Sequence, residues 1–139
     1  MPMRTVDFDR VDEELGLVTP GIYKMFTEAV RKKRLDLARH GIAHDAESII
    51  AGNLKLREQL ADQRPVWKEH YLDIGVGDGC GNHFFLMARD EDDDSARLWA
   101  HDPAGIEKVG TATDFLMDVL AEVEAGFDGP HKYRFQGNG

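Results

Sequence analysis

Apolar positions follow two different periods along this chain, helical in the first half and extended in most of the second. Ile22, Tyr23, Phe26 and Val30 fall on one helical stripe, and Thr19-Pro20 ahead of them offers a cap followed by proline at a first helical position. A helix is therefore predicted from about Pro20 to Leu37, with Gly41 closing it. Asp45 can cap a second helix carrying Ile49, Ile50, Leu54, Leu56 and Leu60, which Pro65 stops. A shorter helix, Val6 to Leu15, precedes both.

From Val66 the pattern becomes extended. Val66 to Val76 is rich in β-forming residues, with Leu72, Ile74 and Val76 on one face. Asn82 to Arg89 places Phe84 and Leu86 on one face and Phe85 and Met87 on the other, the mark of a central strand covered on both sides. Asp90 to Asp94 is a loop of consecutive acids, and Arg97 to His101 is a third strand, so an antiparallel meander is expected. Thr113 is the expected cap of a last helix with Phe115, Leu116, Val119, Leu120 and Val123 on its buried stripe, closed by Gly126. Gly129 to Phe135 reads as an edge strand or a tail. Helices, then a meander of about three or more strands, then a covering helix predict an α+β fold in a single domain over 1–139, with 1–17 as an N-terminal segment and 126–139 as tail or edge strand.

Gly75, Gly77, Gly79 and Gly81 suggest a phosphate cradle, but their spacing does not fit one. A dinucleotide fingerprint needs Gly-x-Gly-x-x-Gly, whereas Cys80 and Asn82 occupy the positions of the third glycine; a P-loop needs a terminal Gly-Lys-Ser or Gly-Lys-Thr, which the chain lacks. Both motifs also open a helix, and an aromatic strand follows here. The glycines are read as the turn of a hairpin, with Asp78 and Asn82 as turn residues.

The chain has 139 residues and one cysteine, so neither an intrachain disulfide nor a cysteine-based zinc site can form. Its start lacks the apolar stretch of a signal peptide, and no run of about 18 apolar residues occurs; a cytoplasmic protein is expected. The net charge of −9 is unevenly placed: the first 70 residues hold 12 basic and 12 acidic side chains, and residues 71–139 hold 5 and 14. That surface disfavours nucleic acid and anionic membrane and favours a basic protein partner. Arg31-Lys32-Lys33-Arg34 is the local exception, read as a solvated helix end where cations suit the dipole.

Two kinds of chemistry find some of their residue types in the chain. Cys80, His83 and His101 with Asp78 or Asp102 contain the types needed for a thiol nucleophile, a base and an orienting acid, but nothing in the spacing brings them together. Asp90, Asp92 and Asp94 imitate the start of an EF-hand loop, yet Ser95 replaces its glycine and His101 its bidentate glutamate. His40 and His44 are four apart across a helix end. No catalytic residue, metal site or cofactor is expected.

The run Ile74-Gly75-Val76-Gly77-Asp78-Gly79-Cys80-Gly81-Asn82-His83-Phe84-Phe85-Leu86 resembles the signature of the SUKH (Smi/Knr-like) superfamily, an "IG-x-DG-x-GN" hairpin leading into an aromatic strand. Leu98-Trp99-Ala100-His101-Asp102 is similar to that family's "V-aromatic-x-His-Asp" strand end, and Thr113-Asp114-Phe115-Leu116 to its last helix. Upstream, Val18 to Phe26 is similar to "L-P-x-x-Y-K-x-F" and Gly52 to Glu58 to "x-E-N-x-x-L-R-E". The chain departs from the pattern at Arg39-His40-Gly41, where an Asn-Gly pair is usual, and in its shorter N-terminal helix. The family includes a fungal regulator of cell-wall synthesis and many bacterial immunity proteins that bind toxins.

The resemblance and the charge asymmetry together imply a non-enzymatic immunity-type protein that neutralises a basic toxin domain by direct binding; the sequence leaves its oligomeric state open, with a monomer favoured. Asp90, Glu91, Asp92, Asp93 and Asp94 would steer association, and Trp99 and Tyr71 would anchor the interface. A regulatory or scaffolding module binding a cellular protein is the alternative from a second class, and a Cys/His hydrolase the alternative from a third.

Overall fold

Local signals start three of the four helices. Asp7 accepts a hydrogen bond from Arg10 N at 3.2 Å and opens α1, Phe8–Leu15. Asp45 and Ser48 form a reciprocal capping box, Ser48 N donating to Asp45 Oδ1 at 2.7 Å and Asp45 N to Ser48 Oγ at 3.1 Å, and open α3, Ala46–Gln59. Thr111, two residues before the expected Thr113, accepts from Asp114 N at 3.0 Å and opens α4, Ala112–Glu124. Helix α2, Gly21–Lys32, has Pro20 at its cap position and no side-chain cap. Thr19 turns away instead: its N–H and hydroxyl both bond Asp12 Oδ1, and the residue is fully buried.

The computed structural model describes residues 5–77, 81–100 and 105–126. Helix α2 ends five residues before the expected Leu37, because Arg34 takes a φ of 56° and reverses the chain. A single 3₁₀ turn at Ala38–His40 then leads to Gly41, whose φ of 73° closes it. Four strands follow: β1, Tyr71–Gly77; β2, His83–Met87; β3, Ala96–Ala100; and β4, Gly105–Gly110. They form one antiparallel sheet in the order β1-β2-β3-β4. The expected α+β meander is present, extended by β4, while the stretch from Gly129 to Phe135 lies outside the described residues.

Residues alternate across the sheet, and each face carries its own core. Leu72, Ile74, Val76, Phe84 and Leu86 pack with Val11, Leu15, Tyr23, Phe26, Val30, Ile49, Phe115 and Val119 of the helices. Tyr71, Phe85, Met87 and Trp99 point the other way and pack with Leu56, Leu60 and Trp67. Each such fully buried side chain stabilises the fold by roughly 1.5–3 kcal/mol before ordering costs. The central position of β2 between two cores explains its apolar character on both faces.

The outer edge of β1 is covered by the chain itself. Asn53, fully buried on α3, spans Asp73 by donating from Nδ2 to its carbonyl and accepting at Oδ1 from its N–H, both at 2.8 Å. At the next residue, Ala43 N donates to Ile74 O at 2.9 Å. Gly75 sits at a φ of 88° where the β1–β2 register shifts, and a Cβ there would lie 2.8 Å from Gly41 O. Only glycine permits that approach of two backbones.

Candidate functional site

The acidic loop lies where two helix N-termini converge. Gly21 N, at the start of α2, donates to Glu91 O at 2.8 Å. Thr113, in the first turn of α4, donates to Asp94 Oδ1 from its N–H at 2.8 Å and from its hydroxyl at 2.9 Å. Helix starts carry partial positive charge, so acidic residues are favoured there. Asp93 Oδ2 accepts from Arg89 N at 2.7 Å and Asp90 N at 3.0 Å, and Asp90 Oδ1 accepts from Asp92 N at 2.8 Å. Asp90, Asp93 and Asp94 thus shape the loop and fasten it to α4. Glu91 and Asp92 remain exposed, with Glu91 3.8 Å from Lys24 Nζ.

Trp99 and Tyr71 do not reach the surface as expected of partner anchors. Trp99 is fully buried, its indole N–H donating to Pro65 O at 2.8 Å, and Tyr71 is stacked on Phe85 with ring centroids 4.2 Å apart. The reading is corrected on physical grounds. Both side chains lie on the sheet face that Trp67, Leu56 and Leu60 cover, so they contribute to the second core and offer a partner no area. An aromatic residue next to an acidic loop in sequence carries no information about which sheet face it joins.

Apolar side chains do reach the surface between α2 and α4. Ile22, Met25, Phe26, Leu116, Met117 and Leu120 line an open groove of about 150 Å³. Met25 is 68 % and Met117 63 % exposed. The two helices run in the same direction, since both start at the acidic loop and Lys33 at the far end of α2 pairs with Glu124 of α4 at 3.5 Å. Asp114 and Asp118, one turn apart on α4, are exposed beside Met117, and neither carboxylate has a basic partner among the described residues. The groove is therefore apolar along its lining, with the acidic loop at the end where both helices start, while Asp114 and Asp118 are exposed on α4 outside the lining. Of the basic tetrad, Arg31 bonds Glu28 on its own helix and holds that carboxylate below its usual range. The sequence signal for this groove was present but weak: Met25 and Met117 sit at the margins of their helical stripes.

The catalytic candidates of the sequence are only partly within the described residues. Cys80, Asp78, His101 and Asp102 lie outside the described residues, and His83 stands among Trp67 and Trp99 with ring centroids 6.4 and 6.1 Å away. Ser48, His44 and Asp45 adjoin one another, but Ser48 Oγ accepts from His44 N and Asp45 N at 2.9 and 3.1 Å and donates to Asp45 O, so capping consumes the hydroxyl a nucleophile needs. Among the described residues no three histidines, cysteines or acids are grouped to hold a metal ion, and no helix is long and apolar enough to cross a membrane.

Compared with known proteins, the chain matches no family model, no curated protein and no solved structure.

Proposed function

We propose that this chain is a non-catalytic protein-binding domain of the immunity type, which neutralises a basic toxin domain by seating one of its segments in the α2–α4 groove. The observation that carries this is an apolar groove bearing two exposed methionines, with the acidic loop at the end where both helices start. Methionine side chains repack around a partner at little cost, and the loop together with the exposed acids of α4 favours a segment whose apolar face is flanked by lysine or arginine. The resemblance to the SUKH superfamily supports the immunity side of this reading, and the excess of acids after residue 70 supports a cationic partner.

The test takes the C-terminal domain of a large secreted protein whose gene adjoins that of this chain, as an immunity role requires. Co-expression is expected to rescue cells from that domain, and Met25→Asp with Met117→Asp to abolish both rescue and binding while the chain stays folded. Asp114→Asn with Asp118→Asn is expected to slow association several-fold and flatten its salt dependence. Full binding by the methionine double variant would remove the groove from the mechanism. Failure of any rescue by the wild-type chain would remove the immunity role.

A further inference from the structure

A second cavity opens between α3 and the covered edge of β1. It measures about 250 Å³ and is lined by Ala38, Gly41–His44, Ser48, Gly52, Asp73 and Gly75. Asp73 is the one carboxylate of its lining among the described residues. Oδ1 of that group is closed to bulk solvent and accepts no hydrogen bond from the described residues, while Oδ2 takes a long bond, 3.3 Å, from Gly75 N. A carboxylate ordinarily accepts several bonds, and an oxygen left without one in a protein interior is costly. Asn53 satisfies the backbone of Asp73 on both sides but does not reach Oδ1.

The walls are kept bare around this acid. Gly52 stands in the interior of α3, where glycine is among the poorest helix formers, yet a Cβ there would meet nothing within 4 Å. Packing does not demand glycine at that position; open space beside Asp73 is what it leaves. The other titratable lining residue, His44, sits 3.7 Å from Asp45 and is partly exposed. Single-carboxylate geometry does not suit a divalent ion, which needs several oxygen ligands. It suits a monovalent organic cation with an N–H to donate.

We propose that this cavity binds an alkylammonium or guanidinium group, with Asp73 as its counter-ion. The site is separate from the α2–α4 groove and does not depend on it. Burial pushes the Asp73 carboxyl up to about 7, so a bound cation and a proton compete for it near neutral pH.

Butylammonium and butylguanidinium serve as free probes, and blocked pentapeptides with a single central lysine or arginine as side-chain probes, each titrated into the full chain and followed by amide NMR shifts at Gly75 and Ala43. Saturable shifts confined to the cavity are expected above pH 7, weakening as pH falls. Tighter binding of the free cations assigns the site to a small amine or guanidine; tighter binding of the peptides assigns it to a partner's side chain. Asp73→Asn is expected to weaken binding by about tenfold or more, and Gly52→Leu, which fills the cavity while Asp73 stays, to abolish it. Absence of saturable shifts with all four probes overturns the proposal, as does binding that persists unchanged in both variants.

Discussion

Asn53 holds Asp73 by both of its backbone groups, giving β1 on its outer side the pair of bonds that a neighbouring strand would supply. The amide also donates to Ile49 O in its own helix at 2.8 Å, so one side chain ties α3 to the sheet. Replacing it with leucine keeps the number and branching of the side-chain heavy atoms and strands both backbone groups of Asp73. We expect a loss of roughly 2–4 kcal/mol in chemical denaturation, the cost of two buried polar groups without partners. A loss under about 0.5 kcal/mol would show that water replaces the amide.

Two glycines should respond in opposite directions. Gly75→Ala forces a side chain into a φ of 88° and places its Cβ 2.8 Å from Gly41 O, and a destabilisation of about 3 kcal/mol or more is expected. Gly52→Ala adds a methyl group where nothing lies within 4 Å, and a gain of up to about 1 kcal/mol is expected from helix propensity. Thermal melting of both variants beside the wild type reads the contrast.

Asp73 gives the fold a pH dependence of definite sign. Its folded-state value, about 7, lies above the ordinary aspartate value of about 3.9, so the native state holds the proton more tightly than the unfolded chain. Its contribution to stability is complete below about pH 4 and is lost as pH rises through about 7, at no more than about 1.4 kcal/mol per pH unit. Asp73→Asn should flatten the urea-unfolding stability profile across that window. An unchanged slope would mean the carboxyl titrates normally.

The acids of the loop should separate by role. Asp94→Ala removes the acceptor for Thr113 N and Oγ1 and is expected to cost about 1 kcal/mol, in the range of a lost helix cap. Asp92→Asn should stay within about 0.5 kcal/mol of wild type. Equal effects in paired urea titrations would contradict the division of labour described for the loop.

Much of this architecture was legible because local signals and periodicity agreed. Asp45 marked a helix start, and the two apolar faces of Phe84 to Met87 marked a central strand. Strand β4 was missed because Gly105 and Gly110 bound it and Glu107 and Lys108 lie exposed at its middle, leaving no alternation to detect. Thr113 was a reasonable cap by type, but Thr111 holds that place and Thr113 bonds Asp94 across the fold. The groove and the Asp73 cavity depend on which segments meet, α2 with α4 and Gly41 with β1, and spacing within one segment does not encode that. Asp73 nevertheless left a mark: an acid in the middle of an otherwise apolar strand.

The fastening of the acidic loop to two helix starts limits how the chain could be redirected to another partner. Substitutions at Asp90 or Asp93 alter the loop's own bonds, and at Asp94 the seat of α4, together with the charge, so recognition and folding are coupled there. Asp92, Asp114 and Asp118 carry no such obligation through their carboxylates. A library confined to those three positions and the two exposed methionines would explore new specificities while leaving the scaffold's own bonds untouched.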